Sequence, residues 1–135
     1  MVKNLDTNLS SANIRYLLAL RELDAEQPGV RCTDLADRLG VSKPSAHRMI
    51  SVFSERGLVT RDDKGIIYLT KQGNELSQHY IDGSKLLVQH LLFPFELCPE
   101  DIIQAVCAIM ASISQSGMCS LLSQLQNRAE LQAAT

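Results

Sequence analysis

Tryptophan is absent from this 135-residue chain, and aromatic residues make up only 4% of it. Its core must therefore be aliphatic, as in many helical regulators, although a small enzyme could share that composition. No apolar run approaches the roughly 20 residues that span a bilayer. The opening MVKNLDTNLSS has no apolar stretch behind its one lysine. Both absences set the expectation of a cytoplasmic protein with no membrane partner. The four cysteines, Cys32, Cys98, Cys107 and Cys119, have neither the density nor the spacing of a disulfide framework, and no CxxC occurs; reduced thiols are expected. Also missing are a glycine-rich phosphate loop, a nucleophile motif and a placed pair of carboxylates, so the chain does not read as an enzyme. A formal charge of -2 does not suit a general nucleic-acid coater, and any affinity for nucleic acid must come from a local basic patch.

Such a patch is present. Lys43, Arg48, Arg56, Arg61, Lys64 and Lys71 fall in one short window, partly offset by Asp34, Asp37, Asp62 and Asp63. The window overlaps RCTDLADRLGVSKPSAHRMISVFSERGLVT, residues 31–60, which reads as helix, tight turn, helix and strand. Thr33 is placed to cap the first helix, whose Leu35, Ala36 and Leu39 recur at helical spacing. Gly40 falls where a left-handed residue would end it, and Ser42 with Pro44 supplies the cap and fixed φ of a new start. In the second helix Ala46, Met49, Ile50 and Phe53 form the inward stripe, which leaves Ser45, His47, Arg48 and Ser51 open to a partner. Beyond Gly57, two β-prone runs, Leu58–Thr60 and Ile66–Leu69, flank a polar turn at Asp62–Gly65. The pattern predicts a mainly α protein that opens with a winged helix-turn-helix. Its second helix would enter the major groove of double-stranded DNA, with Arg61 and Lys64 of the hairpin wing along the phosphates. The alternative use of the same core is a protein-interaction scaffold without DNA binding.

On either side of this unit the periodicity is helical. Ser10 or Ser11 can cap a first helix bearing Ile14, Leu17, Leu18, Leu20 and Leu23, which ends before Pro28 and Gly29. Thr70 to Gly73 starts a long helix with Leu76, Tyr80, Leu86, Leu87, His90 and Leu91. Pro94 and Pro99 bracket a loop, and Glu100 to Ser112 forms an apolar helix. Gly117 is expected to separate that helix from a last one bearing Leu121, Leu122, Leu125 and Leu131. The division is thus 1–73 for DNA binding and 74–135 for a helical dimerisation domain. The second region offers more apolar faces than the winged core can cover, which points to a homodimer reading a pseudo-palindrome with half-sites roughly 34 Å per helical turn apart. Alternatively, these helices complete the core of one monomer.

YLLALREL at residues 16–23, TDLADRLGVSKPSAHRMI, GLV at 57–59 and IIYLTKQG at 66–73 resemble the DtxR/MntR group of metal-responsive bacterial repressors. The LT-x-x-G exit of the wing into a long helix favours this group among winged-helix regulators. The resemblance implies a cytoplasmic homodimeric repressor that binds operator DNA in response to a divalent transition metal such as Mn, Fe or Zn. It implies Ser42, Pro44 and Arg48 as base readers, with Ser45 and His47 near phosphates; Lys43, from the basic patch, joins them as a DNA-binding candidate. At the family's metal-ligand positions this chain departs. The acidic or Met ligand of the first helix is Ala12 or Asn13, followed one turn later by Arg15. The histidine of the long helix falls at Ser84 or Lys85. The Cys/Glu, Glu and His of the later helix fall at Cys107, Met110 and Ala111, so only Cys107 matches. Manganese and ferrous iron prefer oxygen and imidazole donors, and the inherited site is expected to be degenerate.

Two other triggers remain open from the residues alone. Cys107 and Met110, one helical turn apart, could form a soft Zn or Cu(I) site with Cys98, Met118, Cys119, His79 or His90, the bland reading being core filling. His79 and His90, eleven residues apart, would share one helix face. Cys32, next to Arg31 and just ahead of a helix, is the candidate for a redox-sensitive thiol, against a plain packing role.

Overall fold

The computed structural model describes residues 9–92 and 96–134. Helix α1 (Ser11–Glu26) starts at Ser10, whose Oγ accepts from the Asn13 amide at 3.2 Å. It presents Ile14, Leu17 and Leu20, all fully buried, to the core. Helix α2 (Cys32–Leu39) ends at Gly40, whose φ of 67° is the left-handed geometry that lets the chain turn within three residues into α3 (Lys43–Glu55). The expected cap at Thr33 is not found. Arg31 occupies the N-cap without a side-chain bond, and Thr33 lies inside the helix, which begins two residues earlier than its hydroxyl suggested. Ser42 does cap α3, accepting from the Ser45 amide at 3.2 Å, and Ala46, Ile50 and Phe53 are fully buried beneath it.

Strands β1 (Val59–Arg61) and β2 (Ile67–Leu69) pair antiparallel with Thr60 opposite Tyr68. Asp62 Oδ1 accepts from the amides of Lys64 and Ile66, both at 2.9 Å, which shapes the wing tip. Val30 adds a bridge to Ile67, with N–H···O contacts of 2.9 and 2.8 Å, so the segment ahead of α2 is a third edge of the wing. A single isolated pairing residue carries no periodic pattern, and the sequence did not reveal it.

The wing leads into α4 (Lys71–Leu87) through a tight junction. Thr70 Oγ1 donates to the Gly57 carbonyl at 2.6 Å and accepts from the Gly73 amide at 3.0 Å, while the Thr70 amide donates to the Leu58 carbonyl at 3.0 Å. A Cβ at Gly73 would stand 2.0 Å from the Leu58 carbonyl oxygen, so the backbones approach too closely for any side chain there. This is the physical content of the LT-x-x-G pattern.

A π-helical turn, Val88–Leu92, follows α4 and carries His90. His79 lies in α4 itself, and His90 in this wider turn. Helices α5 (Pro99–Ser112) and α6 (Gln115–Ala134) complete the order. The break between them falls at Ile113 and Ser114, not at Gly117. Ser114 Oγ accepts from the Gly117 amide at 3.1 Å, which makes the serine a cap and draws the glycine into the first turn of α6. Of the other expected positions, Pro94 and the side chains of Leu91 and Leu131 lie outside the described residues.

The hydrophobic core is continuous. It runs from Leu17 and Phe53 through Leu76 and Tyr80 to Val106, Met110, Met118 and Leu125, on both sides of the 73/74 division. Helix α1 is its axis, packing against α2, α4 and α5. No helix among the described residues is long and apolar enough to cross a membrane.

Candidate nucleic-acid interface

Helix α3 separates its faces cleanly. While Ala46, Ile50 and Phe53 lock it to the core, Lys43, Pro44, His47 and Arg48 are exposed, as is Ser42 at its cap. Pro44, His47, Arg48 and Ser51 share one stripe by their three- and four-residue spacings, which sets the polar groups of His47, Arg48 and Ser51 in a row on a rigid rod. Ser51 Oγ donates back to the His47 carbonyl at 3.0 Å. Ser45 is turned partly inward, and its hydroxyl accepts from Ser42 Oγ at 2.8 Å. It belongs more to the cap than to the open face.

The wing joins this surface. Arg61, at the end of β1, donates from Nη2 to Ser51 Oγ at 3.4 Å, so a wing guanidinium and the reading helix form one basic surface. Lys64 lies exposed at the wing tip. All eight residues picked from the sequence fall on α3, its cap or the wing, and none is needed to fill the core. Such a surface offers Arg for bidentate contact with guanine edges and Lys for phosphates.

Behind the interface lie two groups that α1 and α2 contribute. Burial pushes the Tyr16 hydroxyl pKa up, Cys32 adding to the effect and Arg48 opposing it. Burial likewise raises the Cys32 thiol, against the pull of Arg61. Cys32 is the first residue of α2 and is buried, and the cation acting on it is Arg61, not the neighbouring Arg31. A raised thiol pKa opposes the reactive-thiolate reading.

The residues at the expected metal positions do not fit a divalent cation. The Arg15 guanidinium is ion-paired with Glu100, placing fixed positive charge where a cation would have to sit. Cys107 is buried, and burial pushes its thiol up although Arg15 pulls it down. Met110 is also buried, and Ser84 spends its hydroxyl on the Ile81 carbonyl at 2.8 Å. Cys98 and Cys119 are exposed, and no group of three or more His, Cys, Asp or Glu gathers among the described residues.

Residues 8–63 match the IclR helix-turn-helix domain. The chain thus carries a helix-turn-helix DNA-binding domain of the kind found in transcriptional regulators, and the matched segment includes α3 and the first wing strand. Solved structures extend the likeness through the later helices. The hypothetical protein SSo2273 from Sulfolobus solfataricus is 18% identical, with TM-score 0.63, over 90% of this chain and 89% of that one. The metal-dependent transcriptional regulator MtsR is 16% identical, with TM-score 0.70, over 87% of this chain and 53% of its own. The manganese regulator SloR is 21% identical, with TM-score 0.67, over 85% and 53%. At such identities the shared property is the fold. The chain spans about half the length of MtsR and SloR. No curated protein matches it.

Proposed function

We propose that the protein is a DNA-binding transcriptional regulator, a repressor that reads operator DNA as a homodimer without a manganese- or iron-type metal switch. The observation that carries this reading is the basic surface of α3 and the wing, with Arg48 exposed on the reading helix and Arg61 bonded to Ser51 beside it. In the proposed assignment Ser42, Pro44 and Arg48 meet base edges, while Lys43, Ser45, His47, Arg61 and Lys64 meet phosphates. Residues 1–73 read DNA and 74–135 dimerise, in the cytoplasm. Exposed Leu97 and Ile103 near and on α5 support a dimer seam in that region. Independence from metal is supported by the Arg15–Glu100 pair and by there being no group of three or more His, Cys, Asp or Glu among the described residues.

The test is titration of the purified protein against its own upstream promoter DNA at fixed moderate salt, with chelator and then with Mn, Fe(II) or Zn. Tight, specific binding that survives chelator is the expected result. Binding that appears only with metal would overturn metal independence. Failure to bind promoter DNA under every condition would favour the interaction-scaffold reading.

A further inference from the structure

A cavity of about 430 Å³ opens between α1, α5 and the α2–α3 turn. Its walls are largely apolar, formed by Ala12, Tyr16, Val41 and Ala108, and Arg15 supplies a guanidinium. Small-molecule sites have this make-up, with apolar walls and a few polar groups that fix orientation. Arg15 is only partly exposed, at 33%, and its partner Glu100 is more open, at 52%. Glu100 does not itself line the cavity, and its carboxylate, the more open partner of the pair, can swing into water and leave the planar fork of Arg15 to another carboxylate. Helix α1 also opens on this wall with no acidic residue in its first turn, so no second anion competes there.

From this geometry we infer that the cavity is an effector site for a small monocarboxylate with an apolar body, held by Arg15 in place of Glu100. The location gives the ligand leverage. Val41 lies one residue ahead of Ser42, the cap of α3, and its amide is tied to the Ala36 carbonyl at 3.0 Å. A ligand wedged against Val41 and Ala108 bears on the start of the reading helix from the α5 side. Its effect on operator affinity rests on the DNA-binding reading; its binding does not. By linkage, operator DNA must change ligand affinity by the same factor that ligand changes operator affinity.

The experiment is calorimetric titration of the full chain with phenylacetate and hexanoate, each compared with its neutral amide. The carboxylates should bind at least tenfold more tightly than the amides. Arg15→Gln should erase that preference, and Glu100→Gln should tighten carboxylate binding several-fold by removing the competitor. Ala108→Phe, at an exposed position on the cavity wall, should block acid and amide alike without touching the core, and it serves if Arg15→Gln melts early. Equal affinity for acid and amide, indifference to both Arg15→Gln and Ala108→Phe, or no binding by the unmodified protein would overturn the site. Carboxylate binding that leaves operator affinity unchanged would overturn its effector role, and carboxylate binding by a protein that never binds promoter DNA would overturn the DNA reading and leave the site standing.

Discussion

The guanidinium of Arg21, on α1, donates to both oxygens of Asn74 on α4, at 2.9 Å to Oδ1 and 3.3 Å to the main-chain carbonyl. The same group reaches Ser77 Oγ and Gln78 Oε1, each at 3.2 Å. No carboxylate takes part in this set of contacts. One cation thus satisfies a row of neutral acceptors and ties the axis of the winged core to the helix that leaves it, beside the fully buried Ser77. Arg21→Met, which keeps much of the apolar stem, should lower stability by about 1–2 kcal/mol, since hydrogen bonds to charged groups exceed ordinary ones. Urea unfolding measures it, and an unchanged midpoint would show that water replaces these bonds at no cost.

Arg48→Ala should cost roughly 1–3 kcal/mol of operator affinity and relax specificity at the base pair it reads, with the melting temperature unaltered because the side chain is exposed. Lys64→Ala should instead weaken binding evenly across DNA sequences and reduce the salt slope by about 1. Fluorescence anisotropy over a salt series separates the two behaviours.

Gly73→Ala is expected to be among the most damaging single-methyl additions in the chain. The new Cβ would meet the Leu58 carbonyl at 2.0 Å, and that carbonyl already accepts from the Thr70 amide. Neither backbone can yield without breaking the strand-to-helix junction, so a loss of about 1–3 kcal/mol or more is expected by thermal or urea unfolding.

The four thiols should divide two and two. Cys98 and Cys119 are exposed and should react quickly with an aromatic disulfide at neutral pH, whereas Cys32 and Cys107, buried and with thiol pKa values raised by burial, should react only as the chain opens. Rapid modification of Cys32 in the folded protein would restore the redox reading.

His79 introduces a pH dependence. Desolvation lowers its pKa from the ordinary 6.5, although Asp82 opposes the shift. The unfolded chain therefore binds more protons than the folded one between the lowered folded value and 6.5. Stability should be fully present above that window and decline as pH falls through it. His79→Gln should flatten this part of the profile, and a slope unaffected by that substitution would assign the dependence to another group.

The reading helix and wing were legible because their chemistry is local. Gly40, Ser42 with Pro44, and the Asp62–Gly65 turn act on backbone within a few residues, and the inward stripe of Ala46, Ile50 and Phe53 follows from helical geometry. Local pattern misled where two residues compete for one role. Thr33 is a good cap type, yet Val30 is fixed by pairing with Ile67, and the helix starts at Cys32 before the threonine is reached. Gly117 looks like a breaker, yet Ser114 caps α6 ahead of it. The resemblance to metal-responsive repressors and the match to the IclR helix-turn-helix domain meet on the same segment, since the trihelical core and wing place similar demands on sequence.

By itself, then, the sequence determined the element order, the winged helix-turn-helix and its open face apart from Ser45, all of which depend on short-range periodicity, caps and turns. Only the tertiary structure decided what lies opposite what. It paired Arg15 with Glu100, 85 positions away, joined Arg61 to Ser51, and seated Gly73 against the Leu58 carbonyl. Such contacts arise from the packing of faces that belong to different elements, and their partners leave no periodic trace along the chain.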